Sequence, residues 1–145
     1  MHKASKEFRK ILPQVDLVIE VLDARLPGSS ENPMLAELRR DKPCIKLLNK
    51  SDLSDPERLG PWISNLERQN LVKTLVCNTG DDSIFELPAA CRSLVPKRNN
   101  RSSMIYAMIA GIPNVGKSTL INKLAGRSVA RTGNEAALTR MQQRI

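Results

Sequence analysis

The sequence predicts an α/β domain built on a parallel sheet, and three observations predict it. Four short runs, Val15 to Leu22, Cys44 to Leu48, Lys73 to Cys77 and Met104 to Ala110, read as strands, the first a near-continuous aliphatic stretch of the kind covered on both faces. Segments with helical periodicity or helix-start chemistry separate them. Polar motifs follow the ends of the runs, where open α/β sheets take their ligands.

Taken in order, residues 3–12 carry Ala4, Phe8, Ile11 and Leu12 as one apolar stripe among Lys3, Lys6, Glu7, Arg9 and Lys10. That spacing predicts a short amphipathic helix ended near Pro13, with a stripe to pack on the domain and a basic face open to solvent or a partner. The first strand passes into Asp23-Ala24-Arg25-Leu26-Pro27 and the turn-rich Gly28-Ser29-Ser30. Asp23 and Arg25 are either site residues or a salt-bridged loop. Asn32 as cap and Pro33 in the first turn open a helix to Arg40.

The second strand runs directly into Asn49-Lys50-Ser51-Asp52. N-K-x-D at a strand's carboxyl end has a specific use. The Asp52 carboxylate can accept two hydrogen bonds, from guanine N1–H and N2–H₂, that adenine cannot offer. Asn49 braces the loop and the base edge, and the Lys50 stem covers the base. Asp55-Pro56-Glu57 opens a helix through about Gln69 with Trp62, Ile63 and Leu66 on one side, where Trp62 is read as core rather than as a stacking platform. The third strand ends in Asn78-Thr79-Gly80-Asp81-Asp82, a loop whose backbone N–H groups could face a guanine carbonyl. Ile84 to about Leu94 reads as a helix despite Pro88, and residues 96–102 have linker composition.

The fourth strand leads into Gly111-Ile112-Pro113-Asn114-Val115-Gly116-Lys117-Ser118-Thr119, and Ser118 to Ala125 reads as a helix. This is G-x-x-x-x-G-K-[ST] in its required strand–loop–helix setting. Gly111 and Gly116 permit a tight loop whose N–H groups turn towards phosphates, which the helix N-terminus also attracts. Lys117 would neutralise the β- and γ-phosphates, and Ser118 would ligate Mg²⁺. Past Gly126, residues 127–143 are polar with little periodicity and read as a mobile loop.

The guanine motif precedes the phosphate loop by about sixty residues, whereas an ordinary small GTPase has the reverse order. A fold needs each strand beside its neighbours, not a particular starting point, so a circular permutation accounts for the order. Seven extended linker residues reach roughly 23 Å, and three strand spacings cover about 14 Å, so the join is feasible.

Composition adds bounds. The formal net charge of +8 divides into +3 for residues 1–14, −3 for 15–96 and +8 for 97–145. Lys97, Arg98, Arg101, Arg127, Arg131, Arg140 and Arg144 exceed what one triphosphate needs, which suits either a polyanion such as RNA or a merely solvated face. With 3% aromatic residues, any RNA contact would be to phosphates rather than stacked bases. Cys44, Cys77 and Cys91 are odd in number and far apart, which argues against disulfides or zinc and for small buried hydrophobes. No apolar run approaches a membrane span or a signal core, and a cytoplasmic location is expected.

Met-His-Lys-Ala at the start, Val-Ile-Glu-Val-Leu-Asp-Ala-Arg at 18–25, Ser-Ser-Glu-Asn-Pro at 29–33, Leu-Leu-Asn-Lys-Ser-Asp at 47–52 and Gly-Ile-Pro-Asn-Val-Gly-Lys-Ser-Thr-Leu-Ile-Asn at 111–122 resemble the circularly permuted GTPases of the YlqF/RbgA type. The resemblance implies a partial, circularly permuted P-loop G domain: an N-terminal helix at 1–13, a guanine-recognition half at 14–95, a linker at 96–103 and a phosphate-binding half at 104–145. It implies GTP and Mg²⁺ as cofactors, and a GTPase that assists assembly of the large ribosomal subunit, with rRNA as partner, no membrane or DNA, and a monomeric state. Asn49, Lys50, Ser51, Asp52, Asn78 and Thr79 would hold the base, and Asn114, Val115, Gly116, Lys117, Ser118 and Thr119 the phosphates. Thr139, in Leu-Thr-Arg-Met-Gln-Gln-Arg-Ile, resembles the switch threonine that joins Ser118 on Mg²⁺ and acts with Lys117 in catalysis. Three departures stand beside the likeness. Residues 1–145 contain no D-x-P-G switch, the W-F-P-G-H segment expected before the first Met is missing, and nothing supplies the family's helical C-terminal domain, so the chain reads as a fragment.

Overall fold

Leu17, Val18, Ile19, Val21 and Leu22 are all fully buried, and a strand without an exposed side belongs inside a sheet covered on both faces. That strand is β1 (Leu17–Asp23), the centre of a five-stranded sheet in the order β3-β2-β1-β4-β5, with β2 (Cys44–Asn49), β3 (Val72–Val76), β4 (Met104–Gly111) and β5 (Thr139–Arg144). The computed structural model describes residues 2–25, 33–49, 56–69, 71–78, 82–94, 104–111, 122–123 and 139–144.

β2 and β4 flank β1, and β3 flanks β2, all parallel. The four expected parallel strands are therefore present, with the last beside the first as the permuted order requires. β5 is a correction: residues 139–144, expected as loop, run antiparallel to β4. The physical reason is that an edge strand is held through its backbone ladder and needs no apolar alternation, which Thr-Arg-Met-Gln-Gln-Arg lacks.

Side chains alternate across the sheet, so each face has its own cover. Leu17, Ile19, Val21, Ile45, Leu47, Ala107 and Ile109 form one cluster with Ile84, Leu87, Ala90 and Cys91 from a short 3₁₀ segment (Asp82–Glu86) and the helix α4 (Leu87–Leu94). Pro88 sits in the first turn of α4, where its missing N–H costs nothing, and this explains why the helix starts at Leu87 rather than at Ile84.

The other face carries two clusters. Phe8, Leu12, Val15, Val18, Leu35, Cys44, Met108 and Ala110 pack under α1 (His2–Ile11) and α2 (Pro33–Arg39), whereas Leu22, Ala24, Leu48 and Leu66 pack under α3 (Pro56–Leu66). Between them, Glu20 on β1 lies opposite Lys46 on β2 and the two form a buried ion pair. The amphipathic reading of α1 holds, since Phe8 and Leu12 are buried while Lys6, Arg9 and Lys10 are exposed. Trp62 is a correction: it is 37% exposed, because the buried side of α3 is Leu59, Ile63 and Leu66, spaced by four and three, and Trp62 lies off that stripe. All three cysteines are buried, and none forms a disulfide. Burial pushes the thiols of Cys44 and Cys91 up to about 11.

Candidate functional site

The parallel register decides which residues meet. Asp23 pairs with Asn49 across β1 and β2, Val21 pairs with Gly111 across β1 and β4, and Leu48 pairs with Val76 across β2 and β3. The carboxyl ends of all four parallel strands, with the loops at Asn49, Asn78 and Gly111, therefore share one edge. Thr139 reaches it from the opposite direction, opening antiparallel β5 beside Ile109. Asn49 and Gly111 stand two strand spacings apart, roughly 10 Å, with only β1 between them.

Asn49 is buried, and its Oδ1 accepts a long contact from the Cys77 thiol at 4.0 Å. Its own carbonyl accepts from Ala24 N–H at 2.7 Å, which ties the end of β2 to the end of β1. Asn78 is fixed through its backbone, donating N–H to Ser83 Oγ at 3.0 Å. Ser83 and Cys77 are supports that the motifs do not show: both are ordinary residue types, and only the closing of the chain brings them to Asn78 and Asn49. A third support is Lys123, whose ammonium lies 5.9 Å from the ring centroid of Phe85, linking the helical residues 122–123 to the 3₁₀ segment that follows the Asn78 loop.

Asp23 and Arg25 form the ion pair that the loop reading expects. Arg25 Nε donates to Asp23 Oδ1 at 2.9 Å and Nη2 to Oδ2 at 2.6 Å, a two-pronged fork, and Arg25 N–H donates to Oδ1 at 2.9 Å. The carboxylate is thereby occupied by its own turn. Asn49, Asn78 and the backbone of Thr139 are thus brought to one edge. Lys50, Ser51, Asp52, Thr79 and Asn114 to Thr119, including Val115, Gly116, Lys117 and Ser118, lie outside the described residues, as do the Asn32 cap, the linker at 96–103 and residues 127–138. Among the described residues no cluster of His, Cys, Asp or Glu could hold a metal ion. None of the described helices is long and apolar enough to cross a membrane.

A parallel sheet whose guanine-motif strand and phosphate-loop strand flank β1, with the guanine motif earlier in the chain, defines a circularly permuted P-loop G domain. The comparisons with known proteins agree in detail. Residues 106–145 match the family described as 50S ribosome-binding GTPase. Ribosome biogenesis GTPase A of Bacillus cereus is 40% identical over all of this chain and 51% of its own length. Mitochondrial ribosome-associated GTPase 1 of Mus musculus is 37% identical over 97% of this chain and 46% of its own. Among solved structures, GNP-bound YlqF from T. maritima superposes with a TM-score of 0.63 at 28% identity, over 92% of this chain and 55% of that one. A GDP-bound YlqF gives 0.61 at 29% identity, over 83% and 48%. The chain is similar to the YlqF/RbgA-type GTPases along its whole length, and it spans about half the length of the curated relatives it matches.

Proposed function

We propose that this chain is the guanine-nucleotide-binding part of a GTPase that assists assembly of the large ribosomal subunit. The observation that carries the reading is the register that brings Asn49 and Gly111 to one sheet edge with β1 between them, so that one nucleotide can span base site and phosphate loop. Asn49, Lys50 and Asp52 select guanine, with Ser51 in the same loop and Asn78-Thr79 facing the base carbonyl. Asn114 to Thr119 hold the phosphates. The hydroxyls of Ser118 and Thr139 are hard oxygen donors suited to Mg²⁺, which is characteristically bound through a few protein oxygens plus substrate phosphates rather than an all-protein cage. Bound Mg²⁺ would neutralise charge on the phosphates; Lys117 adds to that neutralisation, and the loop holds the γ-phosphate in line for attack by water. The partner is the large subunit or its rRNA, in keeping with the names of the relatives, the description of the matching family and the basic excess.

Titration with a fluorescent GTP analogue, with GTP and ATP as competitors, tests the reading. GTP should compete far better than ATP, and Asp52→Asn should weaken GTP about 100-fold while barely touching ATP, because the amide keeps one acceptor oxygen but turns its NH₂ towards the second guanine donor and removes the charge. Equal competition by both nucleotides would sink the proposal. A second reading is a GTP-binding module without competent hydrolysis. Single-turnover hydrolysis separates the two: cleavage of bound GTP supports the enzyme, and stable bound GTP the binding module.

A further inference from the structure

The amino-terminal edge of the sheet, at the far end of β1 from the nucleotide edge, carries a groove of about 390 Å³ lined by Arg9, Leu12, Pro13, Glu37, Leu38 and Arg40. Seven residues of β1 put it roughly 20 Å from the candidate nucleotide site. Lys6, Arg9 and Lys10 share one exposed side of α1, by their spacing of three and four, and exposed Arg40 closes the other wall. The ion pairs of Arg25 with Asp23 and of Lys46 with Glu20 involve none of these four cations.

Both walls are held from beneath. Lys42 Nζ donates to the carbonyls of Leu12 and Val15 at 2.5 and 2.7 Å, pinning the turn that ends α1. Buried Arg39 donates from Nη1 to the Lys42 carbonyl at 2.9 Å and, more weakly, to that of Arg40 at 3.5 Å. Arg40 itself is held at φ 50°, the left-handed position after a helix where glycine is the comfortable residue. An arginine kept there costs backbone strain and gains an exposed guanidinium on the groove.

We propose that this groove is a docking surface for the phosphodiester backbone of RNA, acting independently of the bound nucleotide. It rests on the large-subunit reading for the choice of RNA as the polyanion, and not on the nucleotide site. Guanidinium forks match phosphate oxygens in pairs, and a surface without aromatic residues reads backbone rather than bases. Glu37 lines the groove as one carboxylate beside the two guanidinium groups of Arg9 and Arg40, so its removal strengthens binding.

The test is a titration of the full chain with a fluorescent A-form RNA duplex across a series of salt concentrations. Arg9→Glu with Arg40→Glu should weaken binding about tenfold to a hundredfold and make the slope of log K against log[salt] shallower by about 2, for two lost phosphate contacts. Arg68→Glu with Lys73→Glu makes the same charge change on exposed residues away from the groove and should shift affinity no more than about twofold. Arg9→Gln with Arg40→Gly guards against misfolding, since glycine relieves the strained position: this variant should melt no lower than the parent and still bind RNA more weakly. Glu37→Gln should bind more tightly. Equal losses in the groove and control variants, undiminished binding by the groove variants, no duplex binding by the parent, or equally tight binding to vesicles of anionic phospholipid would each overturn the proposal. Failure of guanine preference in the nucleotide titration would sink the nucleotide reading and leave this one standing.

Discussion

The two faces of the sheet are built on different terms. The face under α4 is apolar throughout its core, from Leu17 to Ile109 and from Ile84 to Cys91. The face under α1, α2 and α3 is broken by Glu20 and Lys46 into two apolar clusters. A buried ion pair pays a desolvation penalty that its mutual attraction only roughly offsets. Such a pair therefore adds little net stability while making any other strand register expensive, since a slip would leave one charge buried alone. On this chain the register it protects is the one that aligns Asp23 with Asn49 and brings the strand ends to a common edge.

The largest expected effect breaks that pair on one side only. Lys46→Met should destabilise by about 3–5 kcal/mol, because it strands the Glu20 carboxylate, whereas Glu20→Leu with Lys46→Met should fall within about 1 kcal/mol of the parent or exceed it. Urea unfolding midpoints with unchanged slope decide it. A mild single variant would mean that the pair is not the discriminating feature between the faces.

A smaller effect compares the thiols, one on each face. The ordinary thiol value of 9.0 is pushed up to about 11 for Cys91 and for Cys44, by burial foremost in both; at Cys44, neighbouring Lys46 and Arg39 pull down against it and Glu20 pushes up. The folded state therefore binds more protons than the unfolded one between these values. Its stability is full below pH 9 and declines as pH rises from about 9 to 11, by about 2–3 kcal/mol per thiol. Unfolding at about pH 8 and about pH 10.5 should show the decline, and Cys91→Ala should remove roughly half of what the two thiols contribute. An unchanged pH slope in Cys91→Ala would mean that the apolar face does not hold its thiol protonated.

The smallest effect belongs to α2, which covers the divided face. Arg40→Gly should stabilise by about 0.5–1 kcal/mol by relieving the left-handed position. A thermal melt resolves this, and a lower midpoint would mean that the arginine side chain contributes more to folding than its backbone costs.

Legibility in the sequence followed burial. The parallel strands are readable because residues such as Val18, Ile19 and Leu47 are buried on whichever face they point to, so composition reports the strand directly. β5 is unreadable because its pairing is carried by backbone, and Trp62 misleads because a large apolar side chain beside a helical stripe need not lie on it. Glu20 is hidden inside an aliphatic run, and only its neighbour across the strands explains it. Of the candidate site, the residue types at Asn49 to Asp52 and Gly111 to Thr119 carry their chemistry in the letters. Ser83 and Cys77 carry none until the chain closes.

What the sequence determined by itself was local: the G-x-x-x-x-G-K-[ST] loop pattern, the N-K-x-D tetrapeptide, four core strands and the order of these along the chain. These depend on residue type and short spacing, which the linear chain contains in full. Only the tertiary structure decided that β1 lies between the two motif strands, that Asp23 is taken by Arg25, that Glu20 meets Lys46, and that Arg9 and Arg40 share a groove. The local Asp23–Arg25 fork aside, each of those juxtaposes elements distant in sequence whose meeting depends on register and strand order, and register is set by the whole sheet packing at once.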